Sequence, residues 1–282
     1  VDYNFVKNIL KVEPTSFNLN TLAIYGNGGG MVPELNSVAR PDDLIENPTM
    51  VVDNNGNNKM DDGDYLLFYG QMPDAWKFNA TTQVFTHEKN LYTDQTYYFL
   101  TTDAGTGKRV APSYSDASPN KTITDFDEHA YHESDEVNLI ATGKRWLGNK
   151  MSSFDNSKDF SLNFPNLITS VPVKFTSRVA AATTYGSNTA VKINGQSVFT
   201  HSVGGIPSST YPQASIPGQL STNYNANSSQ LNINYTFSPN ADPAGTAAVY
   251  VDWFEIFLKR SLTMAGDAMP FRSVASIGAG SV

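Results

Sequence analysis

The sequence predicts a mainly β protein of two β-rich domains, the second a jelly-roll-like β-sandwich, with a few short helices. Three observations carry this. Only 16% of the 282 residues are charged, against about 25% in an average globular chain, and Asn, Thr, Ser and Gly fill the deficit. Apolar residues at 40% and aromatics at 12% supply enough core for a folded chain. From residue 158 onward, short apolar runs of strand length recur with polar turns between them.

The first domain, residues 1–112, is organised around the stretch 53–70. Its Asp/Asn/Gly-rich first half cannot bury itself, and its second half, Tyr65 to Tyr69, is a continuous apolar run ended by Gly70. That pattern predicts a polar loop feeding a buried strand. Before it, residues 2–10 predict a short helix capped by Asp2, with Phe5, Val6, Ile9 and Leu10 on one side. Residues 21–25 predict a strand running into the glycines of 26–30. No Lys-Ser/Thr follows those glycines and Pro33 interrupts the place for a helix, so they predict a turn needing positive φ, not a phosphate loop. Residues 40–44 predict a helical turn with Pro41 at its start. Residues 83–88 and 96–101 are further strands.

From 103 to 125 the composition turns to Gly, Pro, Ser, Thr and Asp, and residues 113–144 are expected to form a linker or bridging segment. The sandwich domain, 145–282, has Leu147 and Met151 as anchors beside Trp146. Its strands are expected at 159–164, 171–180, 190–193, 196–201, 230–237 and 247–258, with Pro172 at a strand start or edge. Asn194-Gly195 between two strand-like runs predicts a type I′ hairpin.

Composition also excludes functions. A net charge of −8 without a Lys/Arg cluster argues against a nucleic-acid partner. There is no cysteine, hence no disulfide, zinc-thiolate site or thiol nucleophile. No apolar run approaches the ~20 residues of a membrane span, and no signal-peptide pattern is present. Starting without Met and stopping in a Gly/Ala/Ser run, the chain reads as a mature or excised piece.

Catalytic patterns are equally scarce. His129, His132 and Glu133 do not form an HExxH or HxxEH set and read as a salt-bridged cluster. Asp252 and Glu255 are three apart on a strand and point to opposite faces, so they cannot flank one glycosidic bond. Tyr185, Tyr211 and Tyr224 would form a sugar-stacking platform if exposed together. The chain by itself is expected not to be an enzyme.

The one site the residues propose is a Ca²⁺ loop at 53–64. With Asp53 as position 1, oxygen side chains fall at positions 3 (Asn55), 5 (Asn57), 9 (Asp61) and 12 (Asp64), and Lys59 at position 7 offers its carbonyl. Asn58 replaces the usual glycine at position 6, which Asn tolerates because it enters the left-handed region. The competing reading is a turn closed by its own side chains.

Several pieces together resemble the region preceding the peptidase domain in type IX secretion system sortases, which are gingipain-like cysteine peptidases. They are the runs 24–34 (IYGNGGGMVPE) and 40–44 (RPDDL), Gly63 to Tyr65, Leu67 to Gln71, Pro73, Asp74, Trp76, His87, Asn90, Tyr92 and 97–100 (YYFL). His132, Glu133, Asp135, Asn138, Leu139, Gly143 and Trp146 continue the match, with Asp252, Trp253, Arg260 and Leu262 in the sandwich. The resemblance is dense over 2–151 and departs at Met72 and Asn149. It implies a cell-surface protein of the outer membrane whose catalytic Cys and His lie C-terminal to this region. Such a protein cleaves C-terminal sorting signals from secreted cargo. It implies as partners the chain's own C-terminal peptidase domain, secreted cargo proteins or other secretion-system components, and a structural, regulatory or cargo-interaction role. The alternative is a stand-alone surface module whose sandwich binds carbohydrate or protein.

Overall fold

Strands too short to bury much by themselves build the first half of the molecule. They are β1 (Ala23–Tyr25), β2 (Glu46–Asn47), β3 (Thr49–Val52), β4 (Tyr65–Phe68), β5 (Ala75–Asn79), β6 (Val84–Glu88) and β7 (Phe99–Thr101). All pair antiparallel: a three-stranded sheet β2-β1-β7 and two hairpins, β3-β4 and β5-β6. The computed structural model describes residues 1–102, 105–112, 114, 118–139, 143, 145–206, 214 and 218–278. The chain divides into two units, Val1–Ala117 and Ser118–Val282.

The core of the first unit is small: Val6, Leu19, Leu22, Ile24, Met60 and Leu66. A guanidinium supplements it. Arg109 donates through Nη1 to the carbonyls of Leu22 (3.1 Å) and Lys108 (3.1 Å) and to Thr49 Oγ1 (2.9 Å). Through Nη2 it donates to the carbonyls of Leu19 (3.0 Å) and Asn20 (2.8 Å). One planar fork thereby ties the carbonyls of 19–22 to that of Lys108 and to the Thr49 side chain.

Three local expectations change here. The N-terminal helix is a single π-helical turn, Phe5–Ile9. Asp2 Oδ1 does accept from Phe5 N–H (2.7 Å), but of its apolar residues only Val6 is buried. Residues 40–44 form no helical turn; Asp43 Oδ1 instead accepts from Leu44 N–H at 2.7 Å. β4 is half-buried, with Leu66 inside and Leu67 49% exposed, because its hairpin lies against the core through one face.

The second unit holds β8 (Asp125–Glu133), β9 (Gly148–Ser152), β10 (Ser157–Asn163), β11 (Val173–Ala182), β12 (Ser187–Ile193), β13 (Gln196–Val203), β14 (Leu220–Tyr224), β15 (Gln230–Pro239) and β16 (Ala248–Ser261). One sheet runs β10-β15-β12-β13, the other β14-β11-β16-β8, and β9 pairs with the start of β16, Ala248 to Val251. With β9 set aside, the first strand pairs with the last, the second with the seventh, the third with the sixth and the fourth with the fifth. That is a long antiparallel hairpin rolled into two sheets, a jelly roll. Val173, Phe175, Val179, Val191, Ile193, Leu231, Ile233, Tyr235, Phe237, Phe254 and Ile256 fill the space between the sheets. Asn194 (φ 48) and Gly195 (φ 80) turn the β12–β13 hairpin, pairing Ile193 with Gln196, as a type I′ turn requires. Residues 125–133 of the stretch expected as a linker form β8, whose nine residues pair along β16 from Trp253 to Ser261. Leu147 and Met151 are buried and Trp146 is 43% exposed.

With a separate core in each unit, calorimetry is expected to resolve two unfolding transitions. Leu66→Ala should lower one and Phe254→Ala the other, each by about 2–5 kcal/mol. A single transition shifted by both variants would show that the units unfold as one.

Candidate functional site

The loop 53–64 joins β3 to β4, whose register runs from Val52 opposite Tyr65 to Thr49 opposite Phe68. Closing a twelve-residue loop between adjacent strand ends demands left-handed backbone, and Gly56 (φ 72), Asn58 (φ 61) and Gly63 (φ 92) supply it. Asp53 accepts from Gly56 N–H through Oδ1 and from Asn58 N–H through Oδ2, both at 2.8 Å. Asp64, 1% exposed, accepts from Asn54 N–H and Asp61 N–H at 2.9 Å each. The two ends of the loop are thus each held by a carboxylate. Met60 inserts into the core of the first unit, and Leu19 N–H donates to Asn58 O at 2.9 Å, fixing the loop from inside.

Three of the six residues proposed as ligands converge. Asn55 Nδ2 and Asn57 Nδ2 both donate to Asp61 Oδ2, at 2.9 and 2.6 Å, and these bonds hold the exposed Asp61 carboxyl below its usual range. Asn55 Oδ1 and Asn57 Oδ1 accept from Asn57 N–H and Lys59 N–H. Asp53 and Asp64 direct their oxygens at backbone amides, and Lys59 bridges to Asn18 in a short antiparallel contact. The donor set suits Ca²⁺ in ligand type and in the left-handed turn at position 6. Yet among the described residues no group of three or more His, Asp or Glu side chains is placed to hold a metal. A cation here would therefore have to draw on amide and backbone oxygens as well as Asp53, Asp61 and Asp64.

The remaining chemistry-bearing residues have structural partners. His129 and His132 point to opposite faces of β8: His129 lies 3.7 Å from Glu255 and against Phe257, while His132 stacks on Phe254 (5.0 Å between centroids) with Nε2 2.9 Å from Asn149 Nδ2. Asp252 is buried and paired with Arg178, so it and Glu255 serve different neighbours. Of the proposed sugar platform, Tyr185 is exposed, Tyr224 is buried in the jelly-roll core and Tyr211 lies outside the described residues.

The glycine run has a packing role. A Cβ on Gly26 would lie 2.5 Å from the Tyr98 ring, and one on Gly28 2.5 Å from the Tyr98 hydroxyl and 2.6 Å from Gln71 O. That hydroxyl donates to Gln71 O (2.9 Å) and accepts from Gln71 N–H (2.6 Å). Tyr98 thus clasps the start of the 70–75 segment onto a backbone that only glycine leaves open.

One buried group was missed by sequence reasoning. His201, 1% exposed, faces the jelly-roll interior with Nε2 3.2 Å from Ser177 Oγ, which is 2.7 Å from the Tyr235 hydroxyl. Its Nδ1 has no partner among the described residues. Burial pushes its pKa down to about 4 and pushes the Tyr235 phenol up. Alternation of Thr200, His201 and Ser202 in a strand would have placed His201 inward only once its register was known.

The fold is similar to that of part of PorU. The structure of dimeric latent PorU from Porphyromonas gingivalis superposes with a TM-score of 0.69 at 22% identity, covering 92% of this chain and 23% of that one. The chain therefore spans less than a quarter of that protein's length. The carbohydrate-binding module CBM36 in complex with calcium and xylotriose aligns at 17% identity over 48% of this chain and 99% of that one. Its TM-score of 0.28 is too low to carry an argument. No protein-family model and no curated protein sequence matches the chain. Among the described residues no helix is long and apolar enough to cross a membrane.

The buried imidazole makes a pH prediction. Its folded pKa lies below the ordinary 6.5, so between about 6.5 and about 4 the unfolded chain binds more protons than the folded one. The stability that neutral His201 allows is full above 6.5 and is lost as pH falls toward 4. The difference in stability between wild type and His201→Phe, measured by urea unfolding, is expected to change by one proton's slope across that window. A pH-independent difference would show that His201 is not buried neutral.

Proposed function

We propose that this chain is the non-catalytic N-terminal region of a PorU-like, cell-surface cysteine peptidase that removes C-terminal sorting signals from secreted proteins. The observation that carries the reading is the shared fold over 92% of the chain. It is joined by the sequence signature at 24–34, 63–76 and 97–100, whose residues build the Tyr98 clasp. With no cysteine, the chain cannot supply the thiol nucleophile of such an enzyme. Its part is to fold ahead of the peptidase domain on the outer-membrane surface and to support or regulate that domain. The purified chain is expected to leave peptides bearing sorting-signal sequences uncut, and the full-length gene is expected to encode a further domain with a Cys/His pair. Turnover by the chain alone, with contaminating protease excluded, or a gene ending near Val282, would overturn the reading.

The same proposal includes Ca²⁺ at 53–64, held by Asp53, Asn55, Asn57, the Lys59 carbonyl, Asp61 and Asp64. What supports it is the convergence of Asn55, Asn57 and Asp61 on one point and the left-handed Asn58. Turning the two Oδ1 atoms toward that point would give up the bonds they now accept from Asn57 N–H and Lys59 N–H, so coordination to the ion would replace those two hydrogen bonds. Bound Ca²⁺ would brace the hairpin by neutralising the carboxylates. Calorimetry is expected to show a millimolar site, with a melting temperature raised by Ca²⁺, lowered by EGTA, and insensitive to both in Asp61→Ala. No heat and no shift at millimolar Ca²⁺ would leave the loop as a turn closed by its own side chains.

A further inference from the structure

The second unit holds a cleft of about 410 Å³ between the stretch 119–125, which leads into β8, and Leu262 with the segment 271–276, which follow β16. Hydrogen bonds tie its two sides together. Leu262 N–H donates to Thr124 O (2.8 Å), Asp127 N–H to Arg272 O (2.7 Å), Val274 N–H to Asp127 Oδ2 (2.8 Å) and Lys121 Nζ to Ala275 O (2.6 Å). A 3₁₀ turn, Val274–Ser276, shapes one end, where Ser276 donates to Ser273 O through both N–H (3.1 Å) and Oγ (2.7 Å). The cleft is therefore built before any ligand arrives, as small-molecule sites usually are, and its volume falls in their ~300–1,000 Å³ range.

Its lining says what kind of molecule fits. The walls are mainly apolar, from Pro119, Ile123, Leu262 and Phe271, and the Phe271 ring is 61% exposed. Lys121 and Arg272 line it with one carboxylate, Asp125, which is ion-paired to Lys259 at 3.0 Å. Two cations against one engaged carboxylate run counter to the chain's net charge of −8 and favour a negative ligand. Ser273 supplies a polar group inside. It is 6% exposed, and its Oγ has no hydrogen-bond partner among the described residues, while its carbonyl accepts twice. Buried hydroxyls are as a rule paired, so one left over in the wall of a cleft points to a partner from outside the chain.

We propose that this cleft binds a small amphipathic anion, a ring or short carbon chain bearing one carboxylate. The carbon part lies against Ile123, Leu262 and Phe271 and leaves water there. The carboxylate faces Lys121, whose ammonium has three donors and gives one to Ala275, and accepts a charge-assisted hydrogen bond from it in the positive field of Arg272. The Ser273 hydroxyl finds in the ligand the acceptor it lacks. Other classes fit less well. An amine would meet both cations, a neutral molecule would leave them unused, and an inorganic anion would leave the apolar walls in water.

Phenylbutyrate and its uncharged counterpart phenylbutanol test this on the purified chain, by titration calorimetry and by amide shifts in NMR. Phenylbutyrate is expected to bind in the sub-millimolar range, as about a dozen non-hydrogen atoms allow, and to move the signals of residues 121–125 and 271–276. The alcohol should bind about ten-fold more weakly, and Lys121→Ala should remove that preference without changing the alcohol's affinity. Phe271→Ala, which truncates an exposed ring and leaves the core alone, should weaken both probes about ten-fold. Lys121 also ties down Ala275, so the signals of β16 are checked in each variant, and Phe271→Ala decides the site if Lys121→Ala disturbs them. No heat and no shifts at several millimolar phenylbutyrate, or shifts confined to other residues, overturn the site. Equal affinity for acid and alcohol overturns the anionic ligand, and wild-type binding by Phe271→Ala overturns its placement.

Discussion

Strand β16 is buried on both faces from Ala248 to Asp252 and on one face beyond, and that constraint organises the second unit. Its inward residues are Val249 and Val251 at one end and Phe254, Ile256 and Leu258 at the other, so the parity changes between them. The change is a bulge in β16: Arg178 of β11 pairs with Trp253 and Val179 with Val251, leaving Asp252 as the extra residue. Before it, Ala248 and Tyr250 pack outward with Leu147 and Ala180 in a second apolar cluster. Asp252 sits where the parity flips, 1% exposed. Burial raises its pKa and the neighbouring Arg178 opposes that rise, donating to its carboxylate while lying over the Trp253 ring at 5.4 Å. A carboxylate in that position is tolerable only with its partner in place; removing one member would strand a buried charge. The pair was visible in the sequence only as an acidic interruption of an apolar run.

How much could be read from the sequence follows from how local each feature is. The Asn194-Gly195 hairpin was legible because two residues of fixed conformation determine it. The strands 159–164, 230–237 and 247–258 were legible because alternation with one buried face is a short-range pattern. β8 was not, since its run DFDEHAYHE puts four acidic residues and two histidines among nine positions; it is held by pairing along the full second half of β16, a contact between residues more than a hundred apart. β14, five residues of LSTNY, has little intrinsic preference and exists because β11 offers it an edge. Tyr224 reads as a loop tyrosine until that pairing turns it inward opposite Val173.

At the candidate loop the sequence specified the residue types and the turn, but not which oxygens would be spent on closure. Asp53 and Asp64 were legible as oxygen donors; that each would accept two backbone amides depends on the loop's left-handed residues lining up N–H groups at both ends. The glycines illustrate the same limit. Positive φ accounts for Gly29 (87) and Gly30 (124), whereas Gly26 and Gly28 are required by the close approach of Tyr98, a residue seventy positions away. The glycine-rich stretch 24–34 is therefore a record of packing, and its residues describe a fold more directly than a reaction.

That distinction bears on how the first unit holds together. Its apolar core is six side chains, and two of its anchors are Met60, within the loop, and Leu66, just past its end. Whatever closes the loop therefore sets the position of two core residues at once. Asp64 is the hinge of this coupling: buried, it ties Asn54 at the loop entrance and Asp61 near its exit to the first residue of β4. Arg109 provides the matching constraint from the other side, gathering the carbonyls of 19–22 that bracket the same core. With so little apolar area, polar closure of this kind must be complete, because each buried polar group left unpaired costs about 1–3 kcal/mol. Whatever acts on that closure therefore acts on the core of the unit, in a chain that has no cysteine and hence no disulfide to share the task.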